Sequence, residues 1–368
     1  MSLPSGHDAP LPLARRIEKI MLGQARPGLL YPPLLFAQAV YSAGAGWKNL
    51  MFDRGWSRPL RAPCRVISVG GVTFGGAGKT PMAMSVIRHL SKRMKTGALS
   101  RGYGQRAKEP VLVVSDGKTL CAPPPYSADE AYLLAKSLPG TPVATAPDRA
   151  LGAKTLAERF GLEAIVLDDG FQHRRLHRDL DIVMVDEYVL DPARRALCPL
   201  GYLREPAESL ARADVAVVLL RREEEKGRMA AYRDEIRRLA GKDIHTASAA
   251  GKMTGFVDHE WAAAGPMEGP ALAFCGIAAP DGFFRTMEGA GAPLAGRMAF
   301  PDHHQYTPED MDAIIRQAGQ AGAKWLVTTE KDAARLEGEK GAGEIKRMLR
   351  VARWELELDG FDPGWLGP

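Results

Sequence analysis

The stretch SVGGVTFGGAGKTP, residues 68–81, sets Gly75, Gly76 and Gly78 directly before Lys79 and Thr80, where a β-rich run gives way to a helical one. Glycine amides that can turn inward, backed by the positive end of a helix, cradle phosphate oxygens. In that arrangement Thr73, Phe74, Gly75, Gly76, Ala77, Gly78, Lys79 and Thr80 form a nucleotide-binding loop. Lys79 then meets the β- and γ-phosphates, and the Thr80 hydroxyl is offered to Mg²⁺. The usual pattern G-x-x-x-x-G-K-[ST] has glycine where this chain has Thr73, and a chance glycine-rich turn is the competing reading. The strand before the loop and the helix after it favour phosphate binding.

A metal beside such a loop needs acid, and AIVLDDG (164–170) supplies Asp168 and Asp169 at the end of an apolar run. In a parallel sheet that strand end shares an edge with the phosphate loop. The alternative for one of the two is a capping Asp before the turn at Gly170. Guanine recognition by an N-K-x-D-type motif is excluded, because Asn49 is the only asparagine and lies upstream of the loop. Motor ATPases often carry Glu after the acidic strand end, and here Asp169 stands there. Phosphoryl transfer to an acceptor needs further cations and a proton acceptor. The candidates are Arg101 in SRGYG, Asp129 and Glu130 in SADEAYLL, Arg149 in APDR, Gln172 and His173 in GFQHRR, Arg204 and Glu205 in YLREP, and His303 in FPDHHQYT. Asp129 also suits an N-cap, Glu205 an ion pair with Arg204, and the 302–304 histidine run a metal site that lacks further ligands.

These residues need a scaffold that brings strand ends together. From residue 65 onward, strand-length apolar runs alternate with helical patterns. Strands are expected at 66–69, ending near 99, near 143, and at 164–167 and 182–185; helices at 80–92, 129–136 and 150–160. Residues 186–212, rich in Pro and Arg, read as a long functional loop. Beyond it come a strand at 213–220, a charged helix at 223–239, strands at 270–275, 324–329 and 351–358, and a helix at 308–318 opened by Thr307 and Pro308. The expected fold is α/β: a P-loop-containing doubly wound parallel sheet with a second, smaller α/β domain. The expected division is 1–64 as a membrane-associating segment, 65–212 as the P-loop kinase core, and 213–368 as a second α/β domain contributing to the cleft.

The chain of 368 residues carries a net charge of +5. Nine Lys/Arg face three acidic residues within residues 1–65, a local net charge of +6 that leaves the remainder near neutral. A basic arm of this kind suits an anionic surface. The apolar, aromatic run at 29–51 beside it selects a lipid headgroup boundary over nucleic acid. Pro32, Pro33 and Gln38 shorten its apolar core below the ~20 residues of a spanning helix, so the segment is expected to lie at the surface. A helix docked on the protein core is the competing reading. Cys64, Cys121, Cys198 and Cys275 are far apart, which excludes a zinc site or disulfide framework and fits a reducing compartment. No secretory signal is visible, so a cytoplasmic setting is expected.

Taken in order, VGGVTFGGAGKTP, SRGYG, the DE pair, APDR, LDDGFQHRRLHRDLDIV, PLGYLREP, GIAAPDGFF, FPDHHQYT and TTEKDAARL resemble the tetraacyldisaccharide 4'-kinase family of lipid A biosynthesis over nearly the whole chain. The family's phosphate loop commonly lacks the first glycine, which suits Thr73. The resemblance implies ATP and Mg²⁺ as cofactors and the 4'-hydroxyl of a tetraacyl glucosamine disaccharide 1-phosphate as acceptor, at the cytoplasmic face of the inner membrane. It implies Asp129 as catalytic base with His303 as its dyad partner, and Thr80, Asp168, Asp169 and Glu205 near the metal. It further implies Arg101, Glu130, Arg149, Gln172, His173 and Arg204 at substrate and phosphates. The alternative from another class is a P-loop NTPase switch acting on a partner protein, and a third is a kinase for a soluble metabolite.

Overall fold

The computed structural model describes residues 13–75, 78–265, 267–277, 280–302, 304–337, 339 and 342–367. The helices are α1 (Leu13–Met21), α2 (Tyr31–Asp53), α3 (Lys79–Leu90), α4 (Asp129–Ser137), α5 (Arg149–Phe160), α6 (Glu187–Leu190), α7 (Met229–Ala240), α8 (Pro280–Gly289), α9 (Pro308–Gln320), α10 (Glu330–Leu336) and α11 (Gly343–Met348). The strands are β1 (Arg65–Gly71), β2 (Thr96–Ser100), β3 (Leu112–Asp116), β4 (Pro142–Thr145), β5 (Ala164–Asp168), β6 (Leu180–Val185), β7 (Val215–Leu220), β8 (His245–Val257), β9 (Ala263–Ala264), β10 (Ala271–Cys275), β11 (Leu294–Ala299), β12 (Trp325–Thr329) and β13 (Leu349–Asp359). These form two compact units, neither of them continuous in sequence. The first takes described residues 13–59, 71–75 and 182–247; the second takes 60–70, 78–181 and 248–367.

In the second unit, β5 pairs in parallel with β1 and β2, β2 pairs in parallel with β4, and β3 closes this run antiparallel to β4. The crossovers follow from that order. Right-handed connections put α3 and α4, which lead outward from β1 to β2 to β4, on one face. The return from β4 to β5 puts α5 on the other. Ala150, Ala153, Leu156 and Ala157 of α5 accordingly pack on Val66, Leu99, Ala144, Ile165 and Leu167. The same logic repeats near the C-terminus, where β10 pairs in parallel with β11 and β12, and β12 with β13. Alternate residues of β10 serve opposite faces: Leu272 and Phe274 meet Met311, Ile314 and Ala318 of α9, while Ala271, Ala273 and Cys275 meet Phe283, Phe284 and Met287 of α8. Side-chain alternation along a strand requires this two-sided burial. β8 joins β13 antiparallel. The α/β, doubly wound architecture expected from sequence is present.

The first unit holds the parallel pair β6 and β7 with α1, α2, α6 and α7. Residues 186–212, expected as a loop, contain α6 and short 3-10 turns at Pro192–Arg194 and Ala207–Arg212. Proline and arginine interrupt apolar periodicity there, which hid these elements. The charged helix expected at 223–239 starts as a 3-10 turn, Glu223–Arg228, before α7.

α2 is unusual in its polarity. Residues bonded inward are polar: Gln38 Nε2 donates to the Leu197 carbonyl at 2.7 Å, the Tyr41 hydroxyl to the Arg204 carbonyl at 2.8 Å, and Asn49 Nδ2 to Glu205 at 3.3 Å. Phe36, Val40 and Trp47, at i, i+4 and i+11, are instead exposed at 73%, 58% and 60%. Among the described residues no helix is long and apolar enough to cross a membrane.

Gly70, near the end of β1, shows how tightly the second unit is packed at this strand end. A Cβ there would lie 2.6 Å from Phe171 Cβ and 2.8 Å from the Phe171 backbone nitrogen, and Phe171 is fully buried. Backbone cannot yield as a flexible side chain can. Gly70→Ala is expected to destabilise the protein by about 1–3 kcal/mol through overpacking, read as a lower midpoint in chemical unfolding.

Candidate active site

Lys79 opens α3, and its N-cap Gly78 adopts φ +76°, a left-handed conformation that glycine accepts without strain. The loop thereby delivers Lys79 and Thr80, both buried, to the C-terminal end of β1 and β5. Thr80 Oγ1 donates to Asp168 Oδ2 at 2.9 Å, and Lys79 Nζ lies 3.8 Å from Asp169 Oδ1. Neighbours on a strand normally face opposite ways. Asp169 escapes this rule with φ +56°, a turn that brings its carboxylate to the same side as that of Asp168. Such strain in a non-glycine residue is characteristic of functional sites. Gly170 completes the turn, its amide donating to the Val69 carbonyl at 3.1 Å.

Electrostatics mark the cluster as incomplete. Burial, then the nearby negative charges of Glu130 and Asp169, raise the Asp168 carboxyl well above the usual carboxylate range, against the Thr80 hydrogen bond and Lys79. Asp168 Oδ1 is buried with no hydrogen-bond partner among the described residues. Opposite in charge, Arg149 begins α5, whose start is fixed by the Asp148 carboxylate accepting from the amides of Ala150 and Leu151. Its guanidinium is buried, donates to the Ala146 carbonyl at 2.7 Å, and keeps an unpartnered Nε. Burial lowers its pKa to about 10, with Asp169 opposing and Arg101 adding to the shift. His173 Nε2 accepts from the Arg149 amide at 3.3 Å. Buried charge without full pairing is costly, so such a cluster suits ligands that supply the missing counter-charges.

The donor set fits a hard divalent ion. Mg²⁺ takes oxygen ligands, typically one or two carboxylates with the rest from phosphate and water. Thr80 Oγ and the unpartnered Asp168 Oδ1 provide such donors beside Lys79. No group of three or more His, Cys, Asp or Glu that could hold a metal ion occurs among the described residues.

Around Asp129 the structure adds residues that the sequence did not single out. Asp129 and Glu130 open α4, with Ala128 as N-cap, and the first turn is read by α10: Arg335 Nε donates to Asp129 Oδ2 at 2.8 Å and Lys331 Nζ reaches Glu130 at 3.4 Å. TTEKDAARL was recognisable as a family stretch, but its charged residues carried no role, since their partners lie some 200 positions earlier in the chain.

In the first unit, Arg204 and Glu205 lie on the segment that braces the early phosphate loop. The amide of Phe74 donates to the Tyr202 carbonyl at 3.0 Å, and that of Arg204 to the Val72 carbonyl at 2.7 Å. Thr73 Oγ1 donates to the buried Asp186 at 2.9 Å, a use for the hydroxyl that a glycine could not supply. Tyr202 fills the space over Gly75, which has φ +69°, and the Arg204 guanidinium sits 5.0 Å from the Phe74 ring centre. Buried Glu205 pairs with Arg212 and Asn49, not with Arg204. Gly76, Ala77 and His303 lie outside the described residues. Lys79, Thr80, Asp168, Asp169, Arg149, His173 and Glu130 are thus linked within the second unit by bonds and fields, Arg101 acts on Arg149 from there, and Gln172 adjoins His173.

Fold and site together define a P-loop protein of the nucleotide-dependent phosphotransferase kind. Comparison with known proteins makes this specific. The family described as Tetraacyldisaccharide-1-P 4'-kinase matches residues 30–363. The tetraacyldisaccharide 4'-kinase of Anaeromyxobacter dehalogenans (strain 2CP-1 / ATCC BAA-258) is 40% identical over 344 residues, covering 90% of this chain and 89% of that protein. That of Syntrophus aciditrophicus (strain SB) is 39% identical over 315 residues, covering 80% and 82%. A crystal structure of LpxK from Aquifex aeolicus in complex with ATP superposes with a TM-score of 0.71 at 28% identity, covering 90% of this chain and 95% of that one. The chain belongs to the tetraacyldisaccharide 4'-kinase family.

The raised Asp168 carboxyl has a testable sign. With a folded pKa above the unfolded value of about 3.9, the native state keeps a proton that the unfolded chain has released, so stability falls as pH rises between the two. Asp168→Asn is expected to stabilise the ligand-free protein by about 1–3 kcal/mol at pH 8, with the gain disappearing near pH 4. Thermal unfolding across that range measures both; an equal gain at each end would contradict the assignment.

Proposed function

We propose that this chain transfers the γ-phosphoryl group of ATP to the 4'-hydroxyl of a tetraacyl glucosamine disaccharide 1-phosphate in lipid A biosynthesis, in keeping with relatives named tetraacyldisaccharide 4'-kinase. The observation that carries the reading is the convergence of Lys79, Thr80, Asp168 and Asp169 at one strand end, within a chain that matches the kinase family over residues 30–363. Family membership favours this over a switch NTPase.

Each residue has a task. The loop amides and Lys79 hold the β- and γ-phosphates, and Arg149 with Arg101 offsets charge on the transferring group. Thr80 and Asp168, with Asp169 beside them, would hold Mg²⁺, which would supply charge neutralisation at the phosphates. Asp129 accepts the proton of the attacking hydroxyl, with His303 as its dyad partner. Gln172 and His173 shape the pocket, and Glu130 completes the acidic wall. Arg204 at phosphate and Glu205 near the metal enter on the family resemblance alone, and the loop positions 73–77 on the sequence pattern.

The acceptor's acyl chains require an interface, and the outward face of α2 supports one. Phe36, Val40 and Trp47 form an exposed apolar stripe with Leu29 and Trp56 at its ends, flanked by Arg26, Lys48, Arg54 and Arg58. Apolar side chains beside basic ones suit an anionic headgroup layer. We therefore place residues 1–64 on the cytoplasmic face of the inner membrane, peripherally, with residues 65–212 and 213–368 as the catalytic parts.

Two experiments test the reading. Incubated with γ-labelled ATP, Mg²⁺ and the tetraacyl disaccharide 1-phosphate in mixed micelles, the purified protein is expected to yield a labelled lipid, and Asp129→Asn to lose at least about 10²-fold in kcat with ATP binding kept. A protein that binds ATP yet labels no lipid would refute the function. Separately, the triple variant Phe36→Ser, Val40→Ser, Trp47→Ser should no longer co-sediment with anionic vesicles, whereas undiminished sedimentation would rule out α2 as the membrane seat.

A further inference from the structure

The carboxylate of Asp129 is held by a side chain for which phosphoryl transfer has no direct use. Arg335 is almost wholly buried, and two nitrogens of its fork are committed to named partners. Nε donates to Asp129 Oδ2 at 2.8 Å, while Nη1 donates both to the Gly276 carbonyl at 2.9 Å and to Asp332 Oδ1 at 2.9 Å. Asp332, fully buried, is itself fixed: it accepts from Thr329 Oγ1 at 2.6 Å and from the Gly276 amide at 3.1 Å. A side chain at position 276 would crowd its surroundings, since a Cβ there would lie 3.1 Å from the Pro301 carbonyl and 3.1 Å from His304 Cβ.

A guanidinium with one nitrogen held by a backbone carbonyl and a buried carboxylate gives direction to the group that its Nε touches. Planar donors impose direction as well as distance. Asp129 stands at the first position of α4, where the side chain would otherwise rotate freely or fold back on the helix amides. Positioning of this kind matters most for a proton acceptor, because misplacement by a fraction of the reach to the hydroxyl removes it from catalysis.

We infer that Arg335 is the positioning residue for Asp129: clamped by Asp332 and the Gly276 carbonyl, its guanidinium aims the carboxylate that accepts the proton of the acceptor hydroxyl. The inference rests on the reading of Asp129 as the base. Nothing in the phosphate loop is touched, so nucleotide binding is independent of it.

The test uses the full-length enzyme in the micelle assay. Because removing Arg335 alone strands the buried Asp332 charge, D332N/R335M neutralises both, and R335K keeps the charge while losing the fork. Both are expected to bind ATP normally and to keep KM for the lipid, while kcat falls about 10²-fold in D332N/R335M and less in R335K. Placed on Asp129→Asn, D332N/R335M should cost nothing further, since the group it positions is gone; loss of folded structure would lower activity in that background as well. Retention of kcat within about threefold in D332N/R335M or R335K, with Asp129→Asn inactive, overturns the positioning role and leaves the base assignment standing. Full losses that add in the combined variant also overturn it. Normal turnover by Asp129→Asn removes the base assignment itself, and the inference with it.

Discussion

An ionisable carboxylate buried without enough positive charge is the constraint around which the second unit is arranged. Asp168 sits at the end of a strand whose side chains are all buried, so its charged form is disfavoured before any neighbour is counted. Two further carboxylates, Asp169 and Glu130, make matters worse, while Thr80 and Lys79 relieve them in part. A fold selected for stability alone would replace this group. Retaining it makes sense if the protein's working state includes a cation and a polyphosphate, with Lys79 and the buried Arg149 answering the phosphate and Asp168 the metal. The same economy explains the strained turn at Asp169: positive φ spends local backbone energy to put two adjacent carboxylates on one side.

The first unit turns on a different constraint. α2 buries Leu34 and hydrogen-bonds through Gln38, Tyr41 and Asn49, leaving Phe36, Val40 and Trp47 in solvent, where an ordinary surface helix would present polar residues. Exposed apolar area of this kind is tolerated where another phase covers it. The inward bonds end on Leu197, Arg204 and Glu205, within the segment whose amides brace residues 72–74 of the phosphate loop. One helix therefore carries both the apolar stripe and direct hydrogen bonds to the residues that shape the loop, so that binding of the stripe to lipid and the conformation of the loop share a structural element.

The sequence made the phosphate loop, the acidic strand end and most inner strands legible because each is a local pattern. β5, β6, β7 and β10 are continuous apolar runs, and parallel sheets require such runs to be buried on both faces. The strands that escaped notice are β3, β8, β11 and the two-residue β9. Within the second unit β3 and β11 each end a run of paired strands, and β11 alternates between partly buried and exposed residues, while β8 is mostly Ala, Gly, Ser and Thr. Arg335 escaped for another reason: its partner Asp129 is 206 positions away, and no local pattern encodes a bond of that span. Thr73 was legible only as a departure, and its hydrogen bond to Asp186 shows that the departure has a structural purpose.

Double winding explains why these distant residues meet. Chain reversals in the strand order, from β4 back to β5 and from β11 back to β12, place helices on both faces but keep every parallel strand pointing the same way within its run. The groups that follow strands β1, β4, β5 and β12, namely Lys79, Arg149, Asp169 and the α10 residues Lys331 and Arg335, therefore emerge at carboxyl ends, where open α/β sheets bind ligands. Helix starts at the same ends add positive potential, which favours phosphate and also favours Asp129 and Glu130 in the first turn of α4. Those two carboxylates would repel the nucleotide if left mobile. Ion pairs from α10 to both of them meet that problem, because they offset the charge and fix its direction in one contact.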